Sequence, residues 1–165
     1  MNLFVTGANG YIGSNFIRKA SSKGYKIFAS TRKKKNKKIQ NVKWLVGSID
    51  KYWRELGDTD ILVHLAAVGG YERFSSFEDC YTFNFLKSKK LLENLISCGC
   101  KKFLIISSKK EKKIKSLKIN RKIIKTYEKK PDYIYALTKA IFSKFCLDLS
   151  RKKKLKLRII RLYHV

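Results

Sequence analysis

The sequence predicts an α/β fold, a doubly wound parallel sheet, on three observations. Short apolar runs alternate with longer stretches of helical spacing. Glycines 7, 10 and 13 sit between the first apolar run and the first helical stretch. The later runs, such as Phe103-Leu104-Ile105-Ile106, are apolar at successive positions, as strands covered on both faces are. Leu3 to Thr6 is read as the first strand and Tyr11 to Ser22 as the first helix, with Gly24 as its stop signal. Tyr25 to Ser30 forms the second strand, and Val42 to Val46 the third after a lysine-rich loop. Asp60 to Ala66 is a buried fourth strand. In Phe77 to Ser97, residues Phe77, Tyr81, Phe85, Leu92 and Ile96 recur near helical spacing, and Gly99 closes that long helix. Lys102 to Ser107 is the fifth strand, Tyr133 to Ser150 a further helix, and Leu155 to Leu162 the sixth strand. Right-handed crossovers between these elements put the strands in the order 3-2-1-4-5-6.

With 165 residues, 44% of them hydrophobic, the chain has material for one domain with a substantial core. The first strand begins at Leu3, which leaves no room for a leader, and no apolar stretch approaches a membrane span; the expectation is a cytoplasmic protein. Cys80, Cys98, Cys100 and Cys146 include one C-x-C, but no histidine or second close pair completes a zinc pattern, so they are read as reduced thiols with no metal. The net charge of +27 invites a nucleic-acid reading through phosphate neutralisation. The cations are mostly lysines spread along the chain, in runs such as Lys33 to Lys38 and Lys152 to Lys154 between periodic segments. Such runs suit a solvated surface, with no specific nucleic-acid partner and a general preference for anionic ligands.

The glycine loop carries the first chemistry. Thr6-Gly7-Ala8-Asn9-Gly10-Tyr11-Ile12-Gly13 lies where a strand turns into a helix. A pyrophosphate can rest on backbone N–H groups at a helix N-terminus only where no Cβ blocks the approach. Gly7 is assigned to the turn, Gly10 to close approach of the ligand, and Gly13 to packing of the helix on the strand. This is the arrangement of a Rossmann dinucleotide site with G-x-x-G-x-x-G spacing, and it points to NAD or NADP.

A second motif lies late in the chain. Tyr135-Ala136-Leu137-Thr138-Lys139 places a phenol and an ammonium on one helical face. The ammonium is expected to lower the phenol from its usual value of about 10, making Tyr135 a general acid/base. Ser108 follows the fifth strand, where parallel sheets bind ligands, and its hydroxyl can hold a substrate oxygen beside the tyrosine. Ser108, Tyr135 and Lys139 form the expected catalytic set.

Together these motifs resemble the extended short-chain dehydrogenases/reductases, specifically the NAD-dependent epimerase/dehydratase family. The glycine spacing, the preceding Thr6, the Tyr11-Ile12 pair and the Ser108-to-Tyr135 interval all match it. His64-Leu65-Ala66-Ala67 is similar to the family's H-x-A-A, which implies that Leu65, Ala66 and Ala67 line the cofactor. Gly47-Ser48-Ile49 resembles the adenine-contacting G-D-I segment, with Ser48 in place of Asp. Asn84 matches the Asn of N-V-x-G-T, although Phe85-Leu86-Lys87-Ser88 keeps only a small hydroxyl at its end. Arg161-Leu162-Tyr163-His164-Val165 is similar to R-x-x-N-V-x-G-P, which places Tyr163 by the cofactor and His164 where an Asn normally meets substrate.

Cofactor choice follows from charge. After the second strand the chain offers Ser30-Thr31-Arg32-Lys33 and no carboxylate, which favours the 2′-phosphate of NADP over the free ribose of NAD. Lys109-Lys110 stand where the family's 4,6-dehydratases carry Asp-Glu, so the resemblance implies a 4-epimerase or 4-ketoreductase acting on a nucleotide-activated sugar. It also implies a homodimer through the helices at 77–97 and 133–150. Residues 1–165 are expected to be the dinucleotide-binding domain, with the family's C-terminal substrate domain absent or truncated. Two alternatives stay open: a non-catalytic NADP-binding remnant and a basic nucleic-acid-binding protein.

Overall fold

The computed structural model describes residues 1–33, 38–69, 76–127 and 130–163; Lys34, Lys35, Lys37 and His164 lie outside them. Six parallel strands form one sheet in the order β3-β2-β1-β4-β5-β6, as the sequence predicts. They are β1 (Asn2–Thr6), β2 (Lys26–Thr31), β3 (Val42–Val46), β4 (Ile61–His64), β5 (Lys102–Ser108) and β6 (Lys156–Leu162). The helices are α1 (Tyr11–Ser22), α2 (Phe77–Tyr81), α3 (Ser88–Ser97), α4 (Arg121–Tyr127) and α5 (Pro131–Lys153).

Alternation along the strands divides the core in two. Leu3, Val5, Ile27 and Val63 point to one face and pack with Ile17 and Ala20 of α1. Phe4, Leu62, Phe103 and Ile105 point to the other and meet Leu91, Leu92 and Leu95 of α3 and Phe142 of α5. Burying each of the three α3 leucines contributes about 2 kcal/mol.

Three helices end by the same device. Gly24 (φ 79), Gly99 (φ 91) and Lys154 (φ 52) are left-handed, and the next amide donates five residues back: Tyr25 to Ala20, Cys100 to Leu95, Leu155 to Ser150. Tyr25 therefore belongs to the cap of α1, and β2 begins one residue later than its apolar pattern suggests. The end of α5 is hidden in the sequence because a lysine takes the place of glycine. At its other end Pro131 stands in the first turn, extending α5 ahead of Tyr133. α4 and the 3-10 turns Arg54–Leu56 and Lys109–Lys113 carry no apolar period that would announce them.

The long helix expected over 77–97 is present with an interruption. Between α2 and α3, Thr82–Lys87 widens into a π turn without leaving helical backbone angles at Tyr81 or Ser88. The Ser88 hydroxyl donates to Phe83 O at 3.0 Å, occupying one carbonyl inside the wide turn. Such an insertion rotates the residues within it relative to a regular helix, and here it delivers Asn84 to the core.

The β1–α1 junction is the tightest part of the fold. A Cβ on Gly7, itself at φ +67, would stand 2.7 Å from the Ala66 amide nitrogen, and one on Gly13 only 2.1 Å from Gly7 O. A Cβ on Gly10 would meet only Gly7 O, at 3.3 Å. Gly13→Ala is therefore expected to lose roughly 3 kcal/mol or more through backbone displacement, whereas Gly10→Ala costs less than about 1 kcal/mol. Equilibrium urea unfolding of the two variants measures the difference; equal losses would contradict the packing described.

Candidate functional site

The site begins where α1 begins. Gly10 caps the helix with no side-chain hydrogen bond, and no acidic residue lies in the first turn. A helix start has amides without intrahelical partners and the positive end of the dipole, a ready place for an anion. This end borders a crevice of about 680 Å³ lined by Gly7, Gly10, Arg32, Ile49, Leu65 and Ala67, among others. It lies at the carboxyl ends of β1, β2 and β4, where the strand order reverses. Among the described residues, apart from its chain neighbours, only Gly7 O comes near the space that a Gly10 side chain would take. The residues present thus fit a diphosphate held on peptide amides.

Two hydroxyls build the walls. Thr6 Oγ1 accepts the Leu65 and Ala66 amides, each at 3.2 Å, and lies 2.8 Å from His64 Nδ1, tying the end of β1 to the end of β4. With two amides already donated to that oxygen, the hydroxyl proton goes to Nδ1, which leaves the ring proton on Nε2. Burial, reinforced by the Lys139 charge, pushes the His64 imidazole down to about 3 and keeps it neutral. On the opposite wall, Asn9 donates to Thr31 Oγ1, fastening the glycine loop to the end of β2. Thr31 Oγ1 in turn donates to Lys33 O at 2.9 Å. Arg32 and Lys33 both line the crevice and are exposed, and among the described lining residues there is no carboxylate.

The other expected contacts divide. Ala66 lines the crevice with its neighbours, but Gly13 packs beneath the loop, and Tyr11 is 78% exposed at the start of α1 beside half-buried Ile12. Ser48 is turned away: its hydroxyl donates to Asp50 and receives the Lys87 ammonium at 3.1 Å. Tyr163 lies 4.6 Å from the Lys109 ammonium, ring centroid to nitrogen.

The phenol and the ammonium sit beside the crevice rather than in its lining. The Tyr135 ring packs against Gly69, just past β4, where a Cβ would come within 3.3 Å of it. Lys139 is 2% exposed and donates from Nζ to Ile106 O at 2.8 Å, fixing α5 on β5. Burial pushes this ammonium down to about 8, against the opposing pull of Glu111. The expected lowering of the phenol is reversed. Burial and then the negative charge of Glu111 push Tyr135 above its ordinary value. Ser108 Oγ caps the 3-10 turn by accepting the Lys110 amide at 3.2 Å, and its proton stays available for another acceptor.

Asn84 joins the two halves. Its Oδ1 accepts the Val68 amide and its Nδ2 donates to Val68 O, both at 2.8 Å, and to Thr138 Oγ1 at 3.0 Å. The residue matched from sequence as a cofactor contact is thus, in this geometry, the bolt between the β4 loop and α5. Thr6 and Glu111 hold the walls and the lysine neighbourhood, roles that the sequence does not announce: Thr6 reads there as part of the loop motif, and Glu111 lies in a lysine run that reads as solvated surface.

His64 gives a pH signature. Its folded value of about 3 lies below the usual 6.5, so the unfolded chain binds the extra proton between those limits. Stability present above about 6.5 is then lost as the pH falls toward 3, by up to on the order of 4 kcal/mol. Urea unfolding across that range is expected to show a steep acid loss that flattens in His64→Asn; an unchanged slope would contradict it.

Several solved structures share this architecture. The UDP-glucose 4-epimerase of Thermotoga maritima, crystallised with UDP-glucose, aligns over 98% of this chain and 55% of its own, with a TM-score of 0.74 and 23% identity. The UDP-glucuronic acid 4-epimerase of Bacillus cereus, in complex with NAD, aligns over 99% and 56%, with a TM-score of 0.75 and 22% identity. The Thermus thermophilus UDP-glucose 4-epimerase, also in complex with NAD, aligns over 98% and 54%, with a TM-score of 0.73 and 20% identity. The chain therefore spans about half the length of these proteins. No curated protein matches it. Residues 3–165 match the model of the NAD dependent epimerase/dehydratase family, and the chain belongs to that family.

Proposed function

We propose that the chain binds a nicotinamide dinucleotide, NADP in preference to NAD, and serves a 4-epimerase or 4-ketoreductase acting on a nucleotide-activated sugar. The observation that carries this reading is the start of α1, capped by Gly10 with no side-chain hydrogen bond and open to the crevice, with Tyr135 and Lys139 anchored at the adjoining strand ends. Membership of the family and the UDP-sugar and NAD complexes of the structural relatives support it.

In this reading Gly7, Gly10 and the first-turn amides around Tyr11 and Ile12 hold the diphosphate. Ile49, Leu65, Ala66 and Ala67 form apolar walls, and Arg32 with Lys33 meets the 2′-phosphate. When bound, the coenzyme supplies a hydride acceptor and donor. Tyr135 Oη exchanges the proton of the sugar hydroxyl, with the Lys139 ammonium one turn along the same helical face. The Ser108 hydroxyl donates to the same sugar oxygen. His164, outside the described residues, is assigned to the substrate by its place in the motif alone. A chain of half-buried aromatic rings in contact, Phe77, Tyr81, Phe85 and Phe145, with Leu86 and Leu147 exposed nearby, supports a homodimer through α2, α3 and α5. Among the described residues no helix is long and apolar enough to cross a membrane; a cytoplasmic site of action belongs to the same proposal.

A second reading has one observation in its favour. The free chain holds the Tyr135 phenol up rather than down, which suits a dinucleotide-binding protein without turnover.

Calorimetric titration tests the binding. NADPH is expected to bind roughly tenfold more tightly than NADH, the equivalent of one charge-assisted hydrogen bond of about 1.5 kcal/mol, and Arg32→Glu to reverse the order. Absence of heat with either coenzyme would refute the proposal. Tyr135→Phe is expected to keep the coenzyme affinity and to lower UDP-sugar turnover by on the order of 10² to 10⁴; binding with no turnover in the parent chain would select the second reading.

A further inference from the structure

The proton chemistry proposed above leaves a buried charge unassigned. Glu111 lies in the 3-10 turn Lys109–Lys113, where Lys109, Lys112 and Lys113 are exposed, yet it is itself only 7% exposed. Its Oε1 accepts hydrogen bonds from Ser107 Oγ and from Ser143 Oγ, the latter at 2.7 Å. Its Oε2 accepts from Arg161 Nε at 2.7 Å. One carboxylate thus holds the end of β5, the middle of α5 and the end of β6.

The α5 partner is informative. Tyr135, Lys139 and Ser143 follow one another at four-residue intervals and form a single stripe on the helix. Lys139 bonds to Ile106 O and Glu111 gathers the hydroxyls of Ser143 and Ser107, so two successive residues of β5 are tied to two successive members of that stripe. Glu111 is buried while its partner Arg161 is exposed, and a buried carboxylate is seldom required for packing, since an apolar side chain of similar volume often holds such a junction as well. A carboxylate kept here among lysines calls for a role that depends on its charge.

We propose that Glu111 is a positioning residue for the Tyr135–Lys139 pair, fixing its helix against β5 and β6 and acting on both members through its negative charge. This rests on the reading of that pair as the proton-transfer groups. The Lys139 ammonium is within the electrostatic reach of Glu111 in the turn, Cys146 on its own helix and His64 on β4. The Tyr135 phenol is within that of Glu111. Glu111 is itself paired with Arg161 of β6. A negative neighbour stabilises the proton-bound form of a phenol and of an ammonium alike, so removing it moves both titrations to lower pH.

The test is the alkaline titration of the Tyr135 phenolate absorption band, taken as the difference between each protein and its Tyr135→Phe counterpart. Glu111→Gln is expected to bring the band in at a pH lower by on the order of one unit, and Glu111→Asp to restore it. Ser143→Ala, which cuts the tie and spares the charge, is expected to lower the melting temperature without moving the titration. A Glu111→Gln titration that superimposes on the parent, with only stability lost, would overturn the proposal. Should Glu111→Gln not fold, Arg161→Gln, which leaves the Glu111 charge unopposed, is expected to move the band to higher pH; a band that stays in place would equally overturn the proposal. The phenolate signal needs no coenzyme, so failure to bind NADPH or NADH would strike the proposed function and leave this readout intact.

Discussion

The fold turns on a junction where main chain lies directly on main chain. Gly13 packs on the Gly7 carbonyl, and Gly7 packs on the Leu65–Ala66 peptide, at distances that admit no Cβ. The Thr6 hydroxyl then completes the contact by taking both of those amides. These three residues bring β1, α1 and β4 together at their ligand-facing ends. A single crowded point therefore sets both the sheet order and the crevice, and the same absence of side chains that permits the packing leaves peptide amides bare.

Around this point the site is assembled in two halves of different character. The half built on β1, β2 and β4 is a crevice with cationic side chains at its rim. The half built on β5, α5 and the turn after β5 is buried and densely hydrogen-bonded, with Lys139, Glu111 and Ser143 nearly sealed from solvent. Asn84 links them by gripping Val68 with both ends of its amide and reaching Thr138 on α5. It can do so because the helix widens into a π turn at that point. Charge in the buried half is balanced within itself: the ammonium is lowered by burial and raised by the carboxylate, which also raises the phenol.

What could be read from the sequence was whatever is local and periodic. The glycine loop, the apolar strands and the four-residue spacing of Tyr135 and Lys139 are each written in a few adjacent residues, and the strand order follows from alternation and handedness. The end of α5 escaped because Lys154 adopts a conformation that glycine usually marks. The inward turn of Glu111 escaped because it is decided by Ser143 and Arg161, far along the chain, and not by its lysine neighbours. The reversed Tyr135 shift has the same origin. A motif names an ammonium, but the burial and the carboxylate that raise the phenol exist only once the chain is folded. The motif assigns Asn84 a ligand contact; in the fold its amide engages Val68 and Thr138, partners that lie far from it in sequence.

The central claim is that the start of α1 receives a diphosphate on its peptide amides. Amide resonances of the isotopically labelled chain, followed during addition of NADPH, address it directly. The account predicts that the largest shifts fall on Gly10 to Gly13, with further shifts at Leu65 to Val68 and around Ile49. Shifts spread over the lysine-bearing surface, with the amides of Gly10 to Gly13 unmoved, would contradict it.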